Sequence, residues 1–121
     1  MLLDSNVIIG ASKPDGEHLA PWLSHPNASV SIITRIESLG YHGLTTEDDA
    51  EISQSLADSP ELALDDPMAR RAIALRQQKN MKLGDAIIAA TALESDLPLV
   101  TRNDADFRPS AGLQIINPFA P

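Results

Sequence analysis

The chain has 121 residues, 43% of them hydrophobic, a net charge of -8 and no cysteine. That length supports one domain with a core and is too short for two, and the missing cysteines exclude a disulfide framework and a thiolate metal site. No apolar run is long enough to span a bilayer, and no signal peptide begins the chain. We therefore expect a single domain over residues 1–121 of a soluble cytoplasmic protein that has no membrane partner.

Charge is distributed unevenly along the chain. Acidic residues are concentrated between residues 47 and 66, whereas every charged residue between 67 and 82 is basic. Since binding to a polyanion normally depends on a cationic patch, an acidic protein needs a local one. The predicted phosphate-binding residues are Arg70, Arg71, Arg76, Lys79, Lys82, Arg102 and Arg108. For each charge taken singly, a solvated helix surface is the alternative.

Up to residue 60 the pattern predicts two strands and three helices. The polar triplet Asp4-Ser5-Asn6 interrupts an apolar run, which is typical of a buried strand that carries side chains into a cleft. Helix starts are inferred from capping residues. The predicted elements are a strand over 2–9, a helix over 17–23, a strand over 28–33, a helix capped by Thr34, and a helix from near Thr46 that ends by Pro60.

From residue 61 the pattern continues to alternate. Residues 83–93 are apolar on nearly all sides, as in a buried helix. The predicted elements are a strand over 61–64, a helix capped by Asp66 with Pro67 at its first position and running toward Lys79, a helix over 83–93, and strands over 97–101 and 113–116. This alternation predicts the α/β class, as a three-layer α/β/α sandwich around a mainly parallel sheet.

Five acids follow or flank the predicted strands, where ligands bind in such sheets. Four of them have a local alternative: Glu37 would close a capping box with Thr34, Asp85 would cap its helix, and Asp104 or Asp106 would stabilise a turn. Asp4 is harder to explain in this way, because a carboxylate among apolar residues is costly without a hydrogen-bond network or a cation.

Four segments carry a family resemblance. They are Leu3-Asp4-Ser5-Asn6-Val7, Ser31-Ile32-Ile33-Thr34-Arg35-Ile36-Glu37, Gly84-Asp85-Ala86-Ile87-Ile88-Ala89-Ala90, and Val100-Thr101-Arg102-Asn103-Asp104-Ala105-Asp106-Phe107. In order and spacing they resemble the motifs of the PIN domain family, and specifically its VapC-like toxins. Each motif is short, but four in order over nearly the whole chain are specific.

The resemblance implies a set of functional residues. Asp4, Glu37 and Asp85 would be catalytic metal ligands, supported by Asn6, Thr34 and Thr101. Family members place a fourth acid where Asn103 or Asp106 stands. We favour Asp106, keep Asp104 as the alternative, and give Asn103 a supporting role.

The implied activity is Mg²⁺-dependent endoribonuclease cleavage, with Mn²⁺ as a second suitable ion, because hard oxygen ligands suit both. The predicted basic residues, Arg102 included, would hold RNA phosphates. The resemblance further implies a homodimer and a small antitoxin protein as partner.

Two other classes of protein would also place acids on an α/β sheet. A phosphotransferase of the receiver or haloacid-dehalogenase type has no obvious active-site lysine here, and the second type needs an acid where Asn6 stands. A catalytically silent interaction or RNA-binding domain is the other class. The presence of at least four acids at the motif positions argues against it, and an RNA-cleavage assay with and without Mg²⁺ separates the three.

Overall fold

The computed structural model describes residues 1–108 and 110–119. Within these residues five strands form one parallel sheet in the order β3-β2-β1-β4-β5. The strands are β1 (Leu2–Leu3), β2 (Ser29–Ser31), β3 (Glu61–Leu62), β4 (Leu99–Val100) and β5 (Ile115–Ile116). The predicted α/β class with a parallel sheet is confirmed.

Helices connect the strands. They are α1 (Ser5–Ala11), a 3-10 helix (Glu17–Leu19), α2 (Ala20–Leu23), α3 (Ile32–Leu39), α4 (Thr46–Ala57), α5 (Asp66–Gln78), α6 (Leu83–Glu94) and α7 (Asp104–Phe107). No helix among the described residues is both long enough and apolar enough to cross a membrane.

The sheet separates two hydrophobic cores. Successive strand residues point to opposite faces of a sheet. Leu2 and Leu99 accordingly pack with residues of α5, α6 and α7, whereas Leu3 and Val100 pack with residues of α1 and α4. Helices on both faces of the sheet give the predicted three layers.

The strand predicted over residues 2–9 is wrong beyond Leu3. Asp4 has an extended backbone and is the N-cap of α1, which occupies residues 5–11. Val7 and Ile8 are buried in the structure, as expected for a strand, but on a helix face that covers the sheet. β-branched residues favour strands only weakly, so the capping acid and tertiary packing decide here.

Two predicted helix caps lie too late in the chain. Ser31, not Thr34, caps α3, and its hydroxyl accepts the backbone N–H of Thr34 at 3.2 Å. Asp65, not Asp66, caps α5, so Pro67 occupies the second helical position. In both cases the residue with the extended backbone of an N-cap comes earlier in the chain than the residue that the sequence pattern indicated.

Candidate active site

The strand order places a crevice between β1 and β4. From β1 the chain adds β2 and β3 on one side of the sheet, then β4 and β5 on the other. Ligands in open α/β sheets bind at such a switch point, beyond the carboxyl ends of the strands. Asp4 directly follows β1, Thr101 directly follows β4, and the Thr101 hydroxyl donates to Asp4 Oδ2 at 2.8 Å.

Asp4 is only 4% exposed, and three donors surround it. Besides Thr101, the backbone N–H of Ser5 donates to Oδ1 at 2.8 Å and Asn6 Nδ2 donates to Oδ2 at 3.3 Å. Burial raises the pKa of Asp4, the hydrogen bonds from Thr101 and Ser5 oppose that effect, and the charge of Asp85 adds to it. The carboxylate is thus held in one orientation although its ionised form is costly.

Asn6 and Thr101 extend this network to the loop after β4. Asn6 Nδ2 donates to Thr101 Oγ1 at 3.2 Å, and Asn6 Oδ1 accepts the backbone N–H of Arg102 at 3.1 Å. The backbone N–H of Asn103 donates to Thr101 Oγ1 at 3.1 Å. The Asp4 carboxylate therefore lies beside the side chains of Asn6 and Thr101. Asn103 joins this network through its backbone N–H.

Thr34 and Glu37 lie on α3, which follows β2. The buried Thr34 hydroxyl donates to the carbonyl of Leu3 at 3.3 Å, which fastens α3 to the end of β1. Glu37 comes three residues later, on the same side of the helix. Burial raises the pKa of Glu37, and the negative charges of Asp4 and Asp85 raise it further. Glu37 closes no capping box, since Ser31 caps α3.

Gly84, in the first turn of α6, makes room for Glu37. A Cβ placed on Gly84 would stand 2.9 Å from Glu37 Oε2 and 3.5 Å from its Cδ. Gly84 belongs to the third motif, but the sequence alone assigned it no role. A glycine inside a helix-forming segment is the signal that could have identified it.

Asp85 follows Gly84 and is half-buried. It is not the cap of α6, whose N-cap is Lys82 and receives no side-chain capping bond. Burial raises the pKa of Asp85, the charge of Asp106 raises it further, and Lys82 opposes both effects. The local structural alternative for Asp85 therefore finds no support.

Asp104 and Asp106 point in different directions from α7. The Arg108 guanidinium donates to Asp104 Oδ2 at 3.0 Å. Asp106 instead lines a cavity together with Asp85. Phe107 is fully buried, as predicted, and this fixes the roll of the helix. We expected Asp106 beside Asp4; the charge it affects is that of Asp85.

The four carboxylates form a series of neighbouring negative charges. The charge of Asp4 raises the pKa of Glu37, and the charge of Asp85 raises the pKa values of both. The charge of Asp106 raises the pKa of Asp85. In the part of the chain that the structure describes, no three acidic or histidine side chains are close enough to hold a metal ion as they stand. Glu37 and Asp106 lie on the exposed side of the cluster. The set of donors is oxygen alone, which fits Mg²⁺ or Mn²⁺.

The predicted phosphate-binding residues divide into two groups. Near the start of α5, Arg70 pairs with Asp66 at 2.7 Å and Arg71 pairs with Glu94 at 3.1 Å. These two arginines are paired with carboxylates in the structure.

The remaining predicted cations lie further along the chain. Arg76 Nε donates to the carbonyl of Met81 at 3.3 Å, and Lys82 stands beside Asp85. Lys79 Nζ is buried and makes no hydrogen bond with the described residues. The Arg102 guanidinium lies 4.9 Å from the ring centroid of Phe119. Arg76 and Lys82 are thus the cations that share a cavity with the acids.

A parallel α/β sheet with acids at its switch point places the protein in a class with an anionic cleft. Comparison with known proteins identifies the family. The PIN domain model matches residues 1–112, so the chain belongs to the PIN domain family. Comparison with curated proteins gives no match.

Solved structures show the same fold. A toxin–antitoxin complex from Klebsiella pneumoniae is 29% identical with a TM-score of 0.81, covering 99% of this chain and 98% of that one. FitAcB from Neisseria gonorrhoeae is 26% identical with a TM-score of 0.77 and 99% coverage of both chains. VapBC-1 from nontypeable Haemophilus influenzae, 23% identical with a TM-score of 0.79 and 98% coverage of both chains, shows the shared fold. The resemblance to VapC-like PIN proteins is confirmed.

Proposed function

We propose that this protein is a metal-dependent endoribonuclease, the toxin component of a toxin–antitoxin pair. One observation carries the proposal: four carboxylates from separate elements lie in series at the sheet's switch point, and burial together with the charge of a neighbouring acid raises the pKa values of Asp4, Glu37 and Asp85. Like charges held close together are unfavourable, and residues in such an arrangement are candidates for function. The match to the PIN domain family supports the same conclusion.

Asp4, Glu37, Asp85 and Asp106 would hold Mg²⁺ or Mn²⁺. Such an ion, when bound, lowers the pKa of a ligated water and neutralises charge on phosphate oxygens. Thr101, Ser5 and Asn6 orient the Asp4 carboxylate in advance, which reduces the reorganisation needed at the site. Rotation of the exposed Glu37 and Asp106 side chains would bring the set together.

Partners follow from the structural neighbours. The toxin–antitoxin complex from Klebsiella pneumoniae supports an antitoxin protein as a partner. We place its binding segment in the acidic groove with an arginine directed at the carboxylates, since guanidinium and carboxylate groups pair well. We also propose that the protein forms a homodimer. Ile36, Ile73 and Leu83 are 57–60% exposed and supply apolar area for an interface. Since RNA is the proposed substrate, we place the protein in the cytoplasm.

The test of this function is cleavage of single-stranded RNA by the purified protein. We expect cutting with Mg²⁺ or Mn²⁺, none in excess chelator, and little cutting of DNA of the same sequence. Mapping the cut ends on total cellular RNA would then identify the target. A silent interaction domain would bind RNA and leave it intact under all of these conditions.

Gly84→Ala is expected to reduce cleavage several-fold without lowering the melting temperature. The added methyl group would meet the Glu37 carboxylate and displace it, while alanine favours a helix over glycine by up to about 1 kcal/mol. Steady-state kinetics and thermal melting measure the two effects separately.

Shortening the displaced side chain provides the matched control for Gly84→Ala. Glu37→Asp withdraws the carboxylate by one methylene, so the double variant should lose less activity than the two single losses combined. Additive losses, or full activity of Gly84→Ala alone, would show that Gly84 does not position Glu37.

A further inference from the structure

A cavity of about 420 Å³ opens beside the carboxylates, between α7 and the loop that joins α5 to α6. Its lining combines two of the proposed catalytic acids, Asp85 and Asp106, with two cations, Arg76 and Lys82, and with Asn80 and Met81. Its volume lies within the ~300–1,000 Å³ of small-ligand pockets. Acids and cations thus share one concave surface.

We propose that this cavity is an RNA subsite, in which Arg76 and Lys82 bind the backbone phosphate of a nucleotide adjacent to the cleaved bond. The inference rests on the proposed function, and it specifies which side of the carboxylate cluster the RNA strand occupies. It also separates the basic residues of α5 into those that contact RNA and those that do not.

Ion pairing across the protein supports this assignment. Of the nine basic residues, five form salt bridges: Lys13, Arg35, Arg70, Arg71 and Arg108. Arg76 and Lys82 are not among them, although acidic residues outnumber basic ones. Two cations without a salt-bridge partner among the described residues therefore stand in the wall of the cavity that contains the acids.

The cavity wall holds Arg76 in place. Arg76 Nε donates to the carbonyl of Met81, which is only 7% exposed and packs in the core under α5 and α6. That bond leaves the terminal nitrogens of the guanidinium available, and a guanidinium has five N–H donors in a fixed plane. An arginine held in this way is suited to a phosphate because the planar guanidinium loses less side-chain entropy for each hydrogen bond it forms.

Lys82 is an unfavourable choice for its position in the fold. It is the N-cap of the twelve-residue helix α6 and makes no capping bond. N-cap positions favour Ser, Thr, Asp or Asn, and a cation there opposes the helix dipole. Because lysine lowers helix stability at this position and lies beside proposed catalytic acids, we expect it to bind the substrate.

The test compares two pairs of substitutions on the whole protein, each of which removes two positive charges. Arg76→Gln with Lys82→Gln removes both cations of the proposed subsite, whereas Arg70→Gln with Arg71→Gln removes cations that pair with Asp66 and Glu94. The probe is a fluorescent single-stranded RNA oligonucleotide, titrated in metal-free buffer at several salt concentrations, so that binding is measured without cleavage.

We expect the first pair to weaken binding at least ~10-fold and to flatten the salt dependence by roughly 0.7 in slope for each phosphate that the protein no longer neutralises. The second pair should change the affinity by less than about twofold, since Arg70 and Arg71 are paired with carboxylates and do not line the cavity. Equal affinities of the two pairs, or no RNA binding by the wild type, would overturn the subsite. Binding in this pattern without cleavage in Mg²⁺ would support the subsite and overturn the nuclease.

Lys82→Ser tests whether a weaker affinity for RNA merely reflects misfolding. Serine is a good N-cap, so this single variant should melt a few degrees higher than the wild type and still bind RNA several-fold more weakly. Higher stability with unchanged affinity would make Lys82 irrelevant to RNA and would overturn its part in the subsite.

Discussion

Asp4→Asn is expected to reduce RNA cleavage at least ~1000-fold, equivalent to about 4 kcal/mol of transition-state stabilisation, while the metal-free protein melts no lower than the wild type. Asparagine has the shape of aspartate and is an equally good N-cap, so its side-chain oxygen can still accept the N–H of Ser5. The negative charge is lost, and with it a proposed metal ligand. The amide nitrogen also takes the place of Oδ2 and no longer accepts from Thr101 and Asn6, a loss that removal of a buried charge is expected to offset. Kinetics and thermal melting of the same preparation check both parts.

The difference in melting temperature between Asp4→Asn and the wild type should also depend on pH. Burial raises the pKa of Asp4 above its ordinary value of 3.8, so the folded protein holds that proton more tightly than the unfolded chain does. The contribution of Asp4 to stability is therefore most favourable below the ordinary pKa and is lost as the pH rises through the raised pKa. Asparagine does not titrate, so the variant should gain on the wild type as the pH rises above the ordinary pKa of 3.8 and through the raised one. A variant that melts well below the wild type at neutral pH would make Asp4 a structural residue.

Asp106→Asn is expected to reduce turnover at least ~10-fold, equivalent to about 1.4 kcal/mol, whereas Asp104→Asn should stay near the wild-type rate. Asp106 shares a cavity with Asp85 and raises its pKa, while the Asp104 carboxylate is engaged by Arg108. Both acids lie on the same short helix, so each variant is the matched control for the other. The opposite ranking would make Asp104 the fourth acid, and equal tolerance would mean that Asp4, Glu37 and Asp85 suffice.

The parallel sheet could be predicted because alternating apolar runs and capping residues are local features. The segment after Leu3 could not, since Val7-Ile8-Ile9 has the composition of a strand and lies in a helix. Its burial is the same in both interpretations, so hydrophobicity does not distinguish them. The hydrogen bond that Thr101 donates to Asp4 crosses the switch point and forms only when β1 and β4 are paired.

The motifs singled out the acids, but the sequence did not predict what surrounds them. The close approach of Gly84 to Glu37 joins residues of different helices. The pairing of Arg71 with Glu94 likewise depends on how α5 packs on α6. A run of basic residues in the sequence therefore predicted one cationic face, whereas tertiary structure pairs its first two members with acids and places Arg76 and Lys82 beside the carboxylates.

The central claim is that these carboxylates cut RNA through a divalent ion, and a chelation and add-back experiment tests it most directly. Wild-type protein and Asp4→Asn, purified identically, are incubated with one defined single-stranded RNA in excess EDTA, and Mg²⁺ or Mn²⁺ is then added beyond the chelator. We predict that the wild type is inactive in EDTA and cuts after the metal is restored, while Asp4→Asn leaves the RNA intact throughout. Cleavage by the wild type in EDTA, or equal cleavage by both proteins after add-back, would contradict the account.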